Sequence, residues 1–237
     1  MSVAGKSIIV TGAASGIGRA LALGFAADGA RVLAVDINGD DLAGVQAPGL
    51  ETRVVDVTDL AQVEAMVARA VEAFGRLDVL FNNAGLGYRV GVTDHAPDQF
   101  ERLVRVNLFG PYYGIRAAIP VMRAQGGGHI VSTHSRAAEA GMANFSAYAS
   151  SKAGLFALTR AAARETLGTG VRINGLIPGP TRSGMMKNAE QAPESVYPTA
   201  RWLAEMGNDG PTGKVFWNQK EYRLFEEGNG AFRREIA

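Results

Sequence analysis

Apolar residues occur along the chain in short β-branched runs that alternate with longer stretches rich in Ala and Leu. The short runs show little alternation between apolar and polar positions, which is typical of strands buried on both faces of a parallel sheet. The longer stretches have helical spacing, as at Leu60, Val63, Val67 and Phe74. The pattern predicts strands at 7–11, 31–37, 52–57, 77–81, 129–133 and 171–177. It predicts helices at 19–27, 59–74, 100–123 and 148–167.

The regular succession of strands and helices indicates an α/β fold. We expect one doubly wound, Rossmann-type domain whose mostly parallel sheet has helices on both faces. The alternation continues to Ile177 without a linker or an internal repeat, so residues 1–237 are expected to form a single domain. The alternation of predicted strands and helices ends after Ile177. The polar, glycine-containing tail at 228–237 is expected either to be flexible or to dock on a neighbouring subunit.

Composition and charge narrow the class of protein. The 237 residues include 24 Lys and Arg against 23 Asp and Glu, a net charge of +1, which argues against nucleic acid or an anionic membrane as the main partner. A hydrophobic content of 47% excludes disorder as the main state. The absence of cysteine excludes disulfides, and no apolar run reaches the roughly 18–20 residues of a membrane span. With no signal peptide recognisable, we expect a cytoplasmic protein.

A glycine-rich segment at 11–18 (TGAASGIG) connects the first predicted strand to the first predicted helix. Backbone N–H groups at such a turn can bind a pyrophosphate because no Cβ intervenes. Asp36 ends the second predicted strand, 18 residues beyond Gly18, where its carboxylate can accept hydrogen bonds from an adenosine ribose. A glycine turn alone could be an ordinary connection, and an isolated Asp could be a helix cap. Together they predict a nucleotide site.

A second group of residues has the chemistry of a general acid and base. Tyr148 and Lys152 are four residues apart, so a helix would place the phenol and the ammonium on one face. A nearby cation could lower the phenol pKa from about 10 towards 7, which needs roughly 4 kcal/mol. A packed Tyr beside a surface Lys is the alternative. Ser135, just after the fifth predicted strand, favours the functional interpretation because ligands bind beyond the carboxyl ends of such strands.

The motifs at 11–18 (TGAASGIG), 82–85 (NNAG), 148–152 (YASSK) and 178–181 (PGPT), together with Asn107 and Ser135, resemble those of the short-chain dehydrogenases/reductases in order and spacing. The resemblance covers about residues 5–181. It implies a nicotinamide cofactor, Tyr148 as general acid/base and Lys152 as a further ligand of the nicotinamide ribose. It also implies that Ser135 orients the substrate oxygen and that Asn107 keeps a water in a proton relay through Lys152.

The same resemblance implies a set of cofactor-binding residues. Asp56 and Val57 would flank the adenine, Asn82, Ala84 and Gly85 the adenosine ribose, and the PGPT motif the nicotinamide. The full implied set is Gly12, Ser15, Gly16, Ile17, Gly18, Asp36, Asp56, Val57, Asn82, Ala84, Gly85, Tyr148, Lys152, Pro178, Gly179 and Thr181. No metal ligand is expected.

These observations predict an NAD-dependent oxidoreductase that interconverts a secondary alcohol and a ketone of small size. Asp36 would face the 2′-phosphate of NADP, and positions 13–15 carry no Lys or Arg to counter it, so NAD is the expected cofactor. A reductase of C=N or C=C bonds is an alternative. A non-catalytic NAD-binding regulator is another, although it would not need Ser135, Tyr148 and Lys152 together. Apolar side chains on more than one face of two long helices predict a homodimer or homotetramer.

Several residues depart from the usual pattern of the family. His134 and Arg136 flank Ser135; the histidine is either a second titrating group or a packing residue, and the arginine either pairs with a substrate anion or reaches solvent. Arg89, in the loop after NNAG, has the same two interpretations. Residues 182–200 are expected to form a substrate lid, in which Met185 and Met186 either contact an apolar ligand or belong to the core.

Overall fold

A computed structural model of the chain describes residues 2–186 and 188–226. The prediction for the tail at 228–237 therefore lies outside the described residues. All the strands in the described part join one sheet in the order β3-β2-β1-β4-β5-β6-β7-β8, parallel except for the final pair. The strands are β1 (Ser7–Thr11), β2 (Arg31–Asp36), β3 (Leu50–Val54), β4 (Val79–Asn82), β5 (Gly128–Thr133), β6 (Val171–Leu176), β7 (Val215–Trp217) and β8 (Lys220–Glu221).

Helices cover both faces of this sheet, which confirms the predicted fold. They are α1 (Gly16–Ala27), α2 (Gly39–Ala43), α3 (Leu60–Phe74), α4 (Pro97–Val104), α5 (Gly110–Ala124), α6 (Ala137–Ala140), α7 (Ser146–Glu165) and α8 (Tyr197–Glu205). The two larger apolar clusters lie under α1 and α8 and under α3, α5 and α7, and a smaller one contains Ile177, Val215 and Leu224. None of the helices in these described residues is long and apolar enough to cross a membrane.

Most predicted elements differ from the structure by one to three residues at an end, and two of them differ in a way that has a structural cause. The third strand was predicted at 52–57, but β3 spans Leu50–Val54, because its register pairs Val32 with Leu50 and Asp36 with Val54. The helix predicted at 100–123 is divided into α4 and α5 by a π-helical turn, Arg105–Phe109. The insertion is invisible to hydrophobic periodicity but determines where the side chain of Asn107 lies.

The helix α8, in the segment where the sequence pattern fades, was not predicted. Its last carbonyls accept hydrogen bonds from three basic side chains: Lys6 to Ala204 at 2.6 Å, His129 to Leu203 at 3.0 Å and Arg172 to Met206 at 2.9 Å. Such donors complement the negative end of a helix dipole. Burial lowers the pKa of His129 well below its usual value, so the neutral ring donates from Nδ1. Tertiary contacts thus define this helix.

The sheet order reverses between β1 and β4, where the connections leave towards opposite edges. In doubly wound sheets, ligands bind in the crevice outside the carboxyl ends of the strands at such a point. The glycine-rich turn follows β1, and the NNAG motif begins at the end of β4. The predicted site residues therefore converge on one edge of the sheet.

Candidate active site

The glycine-rich turn passes from β1 into the N-terminus of α1. Gly16 has φ +52°, a left-handed conformation that favours glycine. A Cβ on Gly18 would collide with the carbonyl of Gly12, so the turn and the helix approach each other closely. Ser15 is the N-cap of α1, and its side chain makes no capping hydrogen bond. The first N–H groups of the helix therefore face the crevice without a side-chain acceptor, a cradle that fits a pyrophosphate.

Asp36 lies at the end of β2 beside this turn. One carboxylate oxygen accepts a hydrogen bond from the backbone N–H of Ala14 at 3.0 Å, and the other accepts from the N–H of Asn38 at 3.0 Å. The carboxylate thus ties the glycine-rich turn to the adjacent strand. It also places a negative charge at the edge of the cradle, which is where the sequence predicted it.

The residues expected around the adenosine are near the same edge. Asp56 follows β3, and its carboxylate accepts hydrogen bonds from the N–H and the hydroxyl of Thr58, both at 2.8 Å. Val57 packs against the backbone of Gly110 at the start of α5. The Asn82 side chain is buried against Gly114 in α5.

The second asparagine of NNAG, Asn83, is a structural link that the sequence analysis did not assign. Its amide donates to the carbonyl of Thr11 at 3.1 Å, and its side-chain oxygen accepts from the hydroxyl of Thr133 at 3.2 Å. The Thr11 hydroxyl in turn accepts from the backbone N–H groups of Asn83 and Ala84, each at 3.0 Å. These bonds hold the ends of β1, β4 and β5 together. In the sequence, the second asparagine of the NNAG motif was the feature that could have pointed to this role.

The structure brings Ser135 and Tyr148 together. Ser135 follows β5 and Tyr148 lies in the first turn of α7, which places the Ser135 side chain beside the phenol. The Ser135 oxygen also accepts from the N–H of Ala137 at 3.1 Å. Burial raises the pKa of Tyr148 above its usual value, and the Ser135 side chain offsets only part of this rise. The two hydroxyls form a pair that can hold one further oxygen.

Lys152 lies one turn beyond Tyr148 on α7 and is buried. Its ammonium donates to the carbonyl of Thr133 at 2.7 Å and is 5.7 Å from the centre of the Tyr148 ring. Burial lowers the pKa of Lys152 to about 8. The expectation that Lys152 lowers the pKa of Tyr148 is not met, since the phenol pKa is raised. The physical reason is that burial of the phenol outweighs a cation whose nearest partner is a carbonyl.

Asn107 lies in the π-helical turn and reaches the loop after NNAG. Its side-chain oxygen accepts from the N–H of Leu86 at 2.8 Å, and its amide donates to the carbonyl of Leu86 at 2.8 Å and to the hydroxyl of Ser151 at 3.2 Å. The side chain thus fixes the loop to α7. A water relay involving Asn107 would have to use its backbone.

The PGPT motif ends in a segment that folds back over the site. Gly179 has φ +76°, and the hydroxyl of buried Thr181 donates to the carbonyl of Pro178 at 3.0 Å. The N–H of Arg182 donates to the carbonyl of Gln191 at 2.7 Å, so the lid is a loop closed between these residues. It is shorter than the predicted 182–200, because α8 begins at Tyr197 and packs in the core. The hydroxyl of Thr181 is therefore engaged within its own turn.

The tip of the lid contacts the two halves of the site. A Cβ on Gly16 would lie 3.5 Å from Cβ of Ser183, which places this serine over the glycine-rich turn. A Cβ on Gly87 would lie 2.5 Å from Sδ of Met185 and 3.5 Å from the Tyr148 ring. Met185 and Met186 are 45% and 44% exposed, so both lie outside the core, and the contact with Gly87 places Met185 at the mouth of the site. Ser183 was missed because only the fold-back of the loop brings it there.

The three residues left ambiguous by the sequence have different environments. His134 is fully buried, packs on Gly175 and contacts the hydroxyl of Thr159 at 3.1 Å. Burial lowers its pKa to about 3, which supports the packing interpretation. The Arg136 guanidinium stacks on Trp217 at 4.4 Å, and that of Arg89 stacks on Phe145 at 4.9 Å. Among the described residues, no group of three His, Asp or Glu side chains could hold a metal ion.

Comparisons with known proteins agree with this geometry. Residues 6–194 match the family model described as short chain dehydrogenase. The chain is 39% identical over 193 residues to levodione reductase of Leifsonia aquatica, covering 78% of this chain and 72% of that protein. It is 39% identical over 210 residues to 2-dehydro-3-deoxy-L-rhamnonate dehydrogenase (NAD(+)) of Sphingomonas sp. (strain SKA58), covering 87% and 83%. A 3-ketoacyl-(acyl-carrier-protein) reductase from Brucella melitensis, solved with NADH, superposes with a TM-score of 0.85 at 27% identity over 91% and 97% of the chains.

Proposed function

The chain belongs to the short-chain dehydrogenases, and from that premise we propose that it interconverts a secondary alcohol and a ketone with NAD as cofactor. The observation that carries the proposal is the placement of Ser135, just after β5, beside Tyr148 in the first turn of α7. The pair stands beside a buried Lys152 and opens on the same crevice as the glycine-rich turn. A small alcohol or ketone would bind with its oxygen against the two hydroxyls.

Tyr148 is the proposed general acid/base. In the oxidative direction, its phenolate takes the proton of the substrate hydroxyl, and in reduction its hydroxyl returns a proton to the substrate oxygen. Ser135 donates a hydrogen bond that holds this oxygen and stabilises negative charge on it. When bound, the nicotinamide supplies the hydride acceptor or donor. The protein residues contribute position, hydrogen bonds and proton transfer.

Lys152 has two proposed tasks. Its cation lies behind Tyr148, where it favours the phenolate over the neutral phenol as the site loses water on closure. Its ammonium has further donors beyond the one bound to Thr133, and these fit a ribose hydroxyl. Asn107 acts one step further away, since it fixes the loop beginning at Leu86 against α7.

The cofactor is proposed to lie along the carboxyl ends of the strands. Gly12, Ser15, Gly16, Ile17 and Gly18 would bind the pyrophosphate, with Ser183 above them. Asp36 would accept hydrogen bonds from the adenosine ribose, flanked by the segments around Asp56, Val57, Asn82, Ala84 and Gly85. Pro178, Gly179 and Thr181 would line the nicotinamide end.

The preference for NAD rests on the charge of Asp36. Its carboxylate lies at the edge of the cradle and bonds to the N–H of Ala14, so a ribose 2′-phosphate would meet a like charge. One relative carries NAD(+) in its name, and one structural neighbour was solved with NADH. A location in the reducing cytosol is part of the proposal and is supported by the absence of cysteine.

The test is a panel of secondary alcohols with NAD, and of the matching ketones with NADH, followed at 340 nm. We expect at least one pair to be interconverted in both directions. Tyr148→Phe should abolish this turnover, while Tyr112→Phe, which removes a hydroxyl from an exposed face of α5, should not. If NAD binds but no alcohol or ketone in the panel reacts, the proposed reaction is wrong.

A further inference from the structure

The mouth of the proposed site carries a cation that the mechanism does not use. Arg89 is exposed, and its guanidinium carbon lies 4.9 Å from the centre of the Phe145 ring. The Phe145 ring in turn meets the Tyr148 ring edge-on, with centroids 5.9 Å apart. A single aromatic ring therefore separates the guanidinium from the general acid/base.

The loop that carries Arg89 is fixed at both ends. The backbone of Leu86 is bonded to the side chain of Asn107, and the N–H of Val90 donates to the carbonyl of Asn144 at 2.9 Å. The second bond joins this loop to the segment that contains Phe145. The position of the cation beside the mouth is thus preorganised, which reduces the entropy lost when a ligand is bound.

The surroundings of Arg89 leave the N–H donors of its guanidinium available to a ligand. Within residues 2–186 and 188–226, no carboxylate forms an ion pair with Arg89. The neighbouring acid, Asp94, faces Gly91. Phe145 covers one face of the Arg89 guanidinium. The N–H groups of a guanidinium lie in its plane, so this contact leaves them free to bind a ligand at the edge of the group. An edge of this kind binds a carboxylate through two parallel hydrogen bonds.

We propose that the substrate is a hydroxy acid or keto acid whose carboxylate is bound by Arg89, which makes Arg89 a specificity-determining residue. This inference rests on the proposed function. The reacting carbinol lies at Ser135 and Tyr148, and the carboxylate lies on the far side of Phe145. Met185, over Gly87 and Tyr148, covers the carbon chain between the two ends.

The experiment compares a series of secondary hydroxy acids, whose carbon chain between carbinol and carboxylate grows until it can span the Phe145 ring, with their uncharged primary amides, which have the same shape. We expect one acid of the series to have a kcat/KM about ten- to a hundredfold above that of its amide, the range of a hydrogen bond to a charged group. Arg89→Gln should remove this difference by raising KM for the acid. The kcat for the acid and the kcat/KM for the amide should change little. Arg89→Lys, which keeps the charge but lacks the fork, should restore part of it.

The matched control is Arg164→Gln. It removes the same charge from α7, but Arg164 is 16 residues beyond Tyr148, about 24 Å along the helix. This variant should retain the preference for the acid. If the parent uses acid and amide equally, or if Arg89→Gln weakens both alike, Arg89 does not recognise the substrate charge.

Binding separates this inference from the proposed reaction. Calorimetry with the NAD-loaded protein and each acid and amide measures recognition without turnover. If nothing in the panel is oxidised, the proposed reaction fails, and tighter binding of an acid that is lost in Arg89→Gln would still establish the anion site. Equal binding of acids and amides overturns the anion site whatever the turnover.

Discussion

The ammonium of Lys152 donates a hydrogen bond to the backbone carbonyl of Thr133 at 2.7 Å, although Lys152 is only 3% exposed. The bond joins α7, which carries Tyr148, to the end of β5, which leads to Ser135. Burial lowers the pKa of Lys152 from 10.5 to about 8. The two halves of the catalytic pair are thus held together by a cation whose burial opposes folding at neutral pH.

Lys152→Met should therefore stabilise the fold while it removes activity. The pKa difference corresponds to about 3 kcal/mol, from which loss of the bond to Thr133 subtracts about 1 kcal/mol. We expect the free energy of unfolding to rise by about 1–2 kcal/mol at pH 7, measured by urea unfolding. The folded pKa lies below the unfolded one, so the destabilisation in the parent is complete below pH 8 and declines towards pH 10.5.

The gain in the Lys152→Met variant should consequently shrink between pH 8 and pH 10. Lys214→Met, at an exposed site on the surface, is the control and should show no such trend. A less stable Lys152→Met variant at pH 7, or a difference that does not change with pH, would contradict this account.

Tyr148→Phe removes the proton-transferring oxygen and keeps the ring that packs on Phe145. General acid/base catalysis contributes about 10²–10⁴-fold, so turnover should fall by at least a hundredfold while NAD still binds. Burial raises the pKa of Tyr148, so the oxidation rate of the parent should increase with pH through the alkaline range as the phenolate forms. Steady-state kinetics across pH tests both points. Activity above a tenth of the parent's would refute the assigned role.

The extent to which the sequence predicts this structure follows from burial. β1 was predicted at its observed bounds, Ser7–Thr11, because every one of its residues is buried and apolar patterning is continuous. β3 was displaced because it is an edge strand, with exposed residues such as Val54. Local pattern thus locates central strands, whereas the register of edge strands depends on the neighbouring strand.

In the site, too, local sequence predicts some residues, whereas others depend on tertiary contacts. Ser135, Tyr148 and Lys152 could be recognised because their spacing along one strand end and one helix already places them together. Ser183 and the contact of Met185 with Gly87 could not, because they arise when a loop folds back from β6 over the crevice. The assignment of His134 required its burial against Gly175, which depends on the pairing of β5 with β6.

Asp36→Asn tests the cofactor preference. The parent should favour NAD over NADP by about thirtyfold in kcat/KM, since repulsion of about 2 kcal/mol is expected between the carboxylate and a 2′-phosphate after screening. Asparagine keeps an oxygen for the N–H of Ala14 but removes the charge and the acceptor for the N–H of Asn38, so the preference should narrow at a cost of about 1 kcal/mol in stability. Asp40→Asn, on the nearby helix α2, is the control. Equal use of both cofactors by the parent would disprove the role of Asp36.

The exposed aromatic residues of the π-helical turn and α5 predict self-association. Phe109 and Tyr112 are each 42% exposed, and burial of such side chains against a symmetric copy is favourable. We expect a dimer or tetramer by light scattering at micromolar concentration. Replacing both with Lys should shift the mass towards the monomer, whereas Leu167→Lys, at an exposed apolar residue beyond α7, should not. A monomeric parent would contradict the prediction.

The lid should respond to the cofactor. Its ends are joined by the bond from Arg182 to Gln191. Ser183 and Met185 lie against the site, and Met185 and Met186 are 45% and 44% exposed. A segment with so few buried contacts opens readily. We expect the amides of residues 182–192 to exchange rapidly without ligand and to be protected when NAD and substrate close the lid over the site and exclude water.

Hydrogen exchange with and without NAD measures this closure directly. Replacing Met185 and Met186 with Ser should raise KM more than it lowers kcat, because the pair contributes apolar contact to the bound substrate and takes no part in proton transfer. Replacing both with Leu is the control, since it keeps the apolar surface. If the amides are equally protected in both states, the lid does not respond to the cofactor. In that case the serine variant should leave KM unchanged.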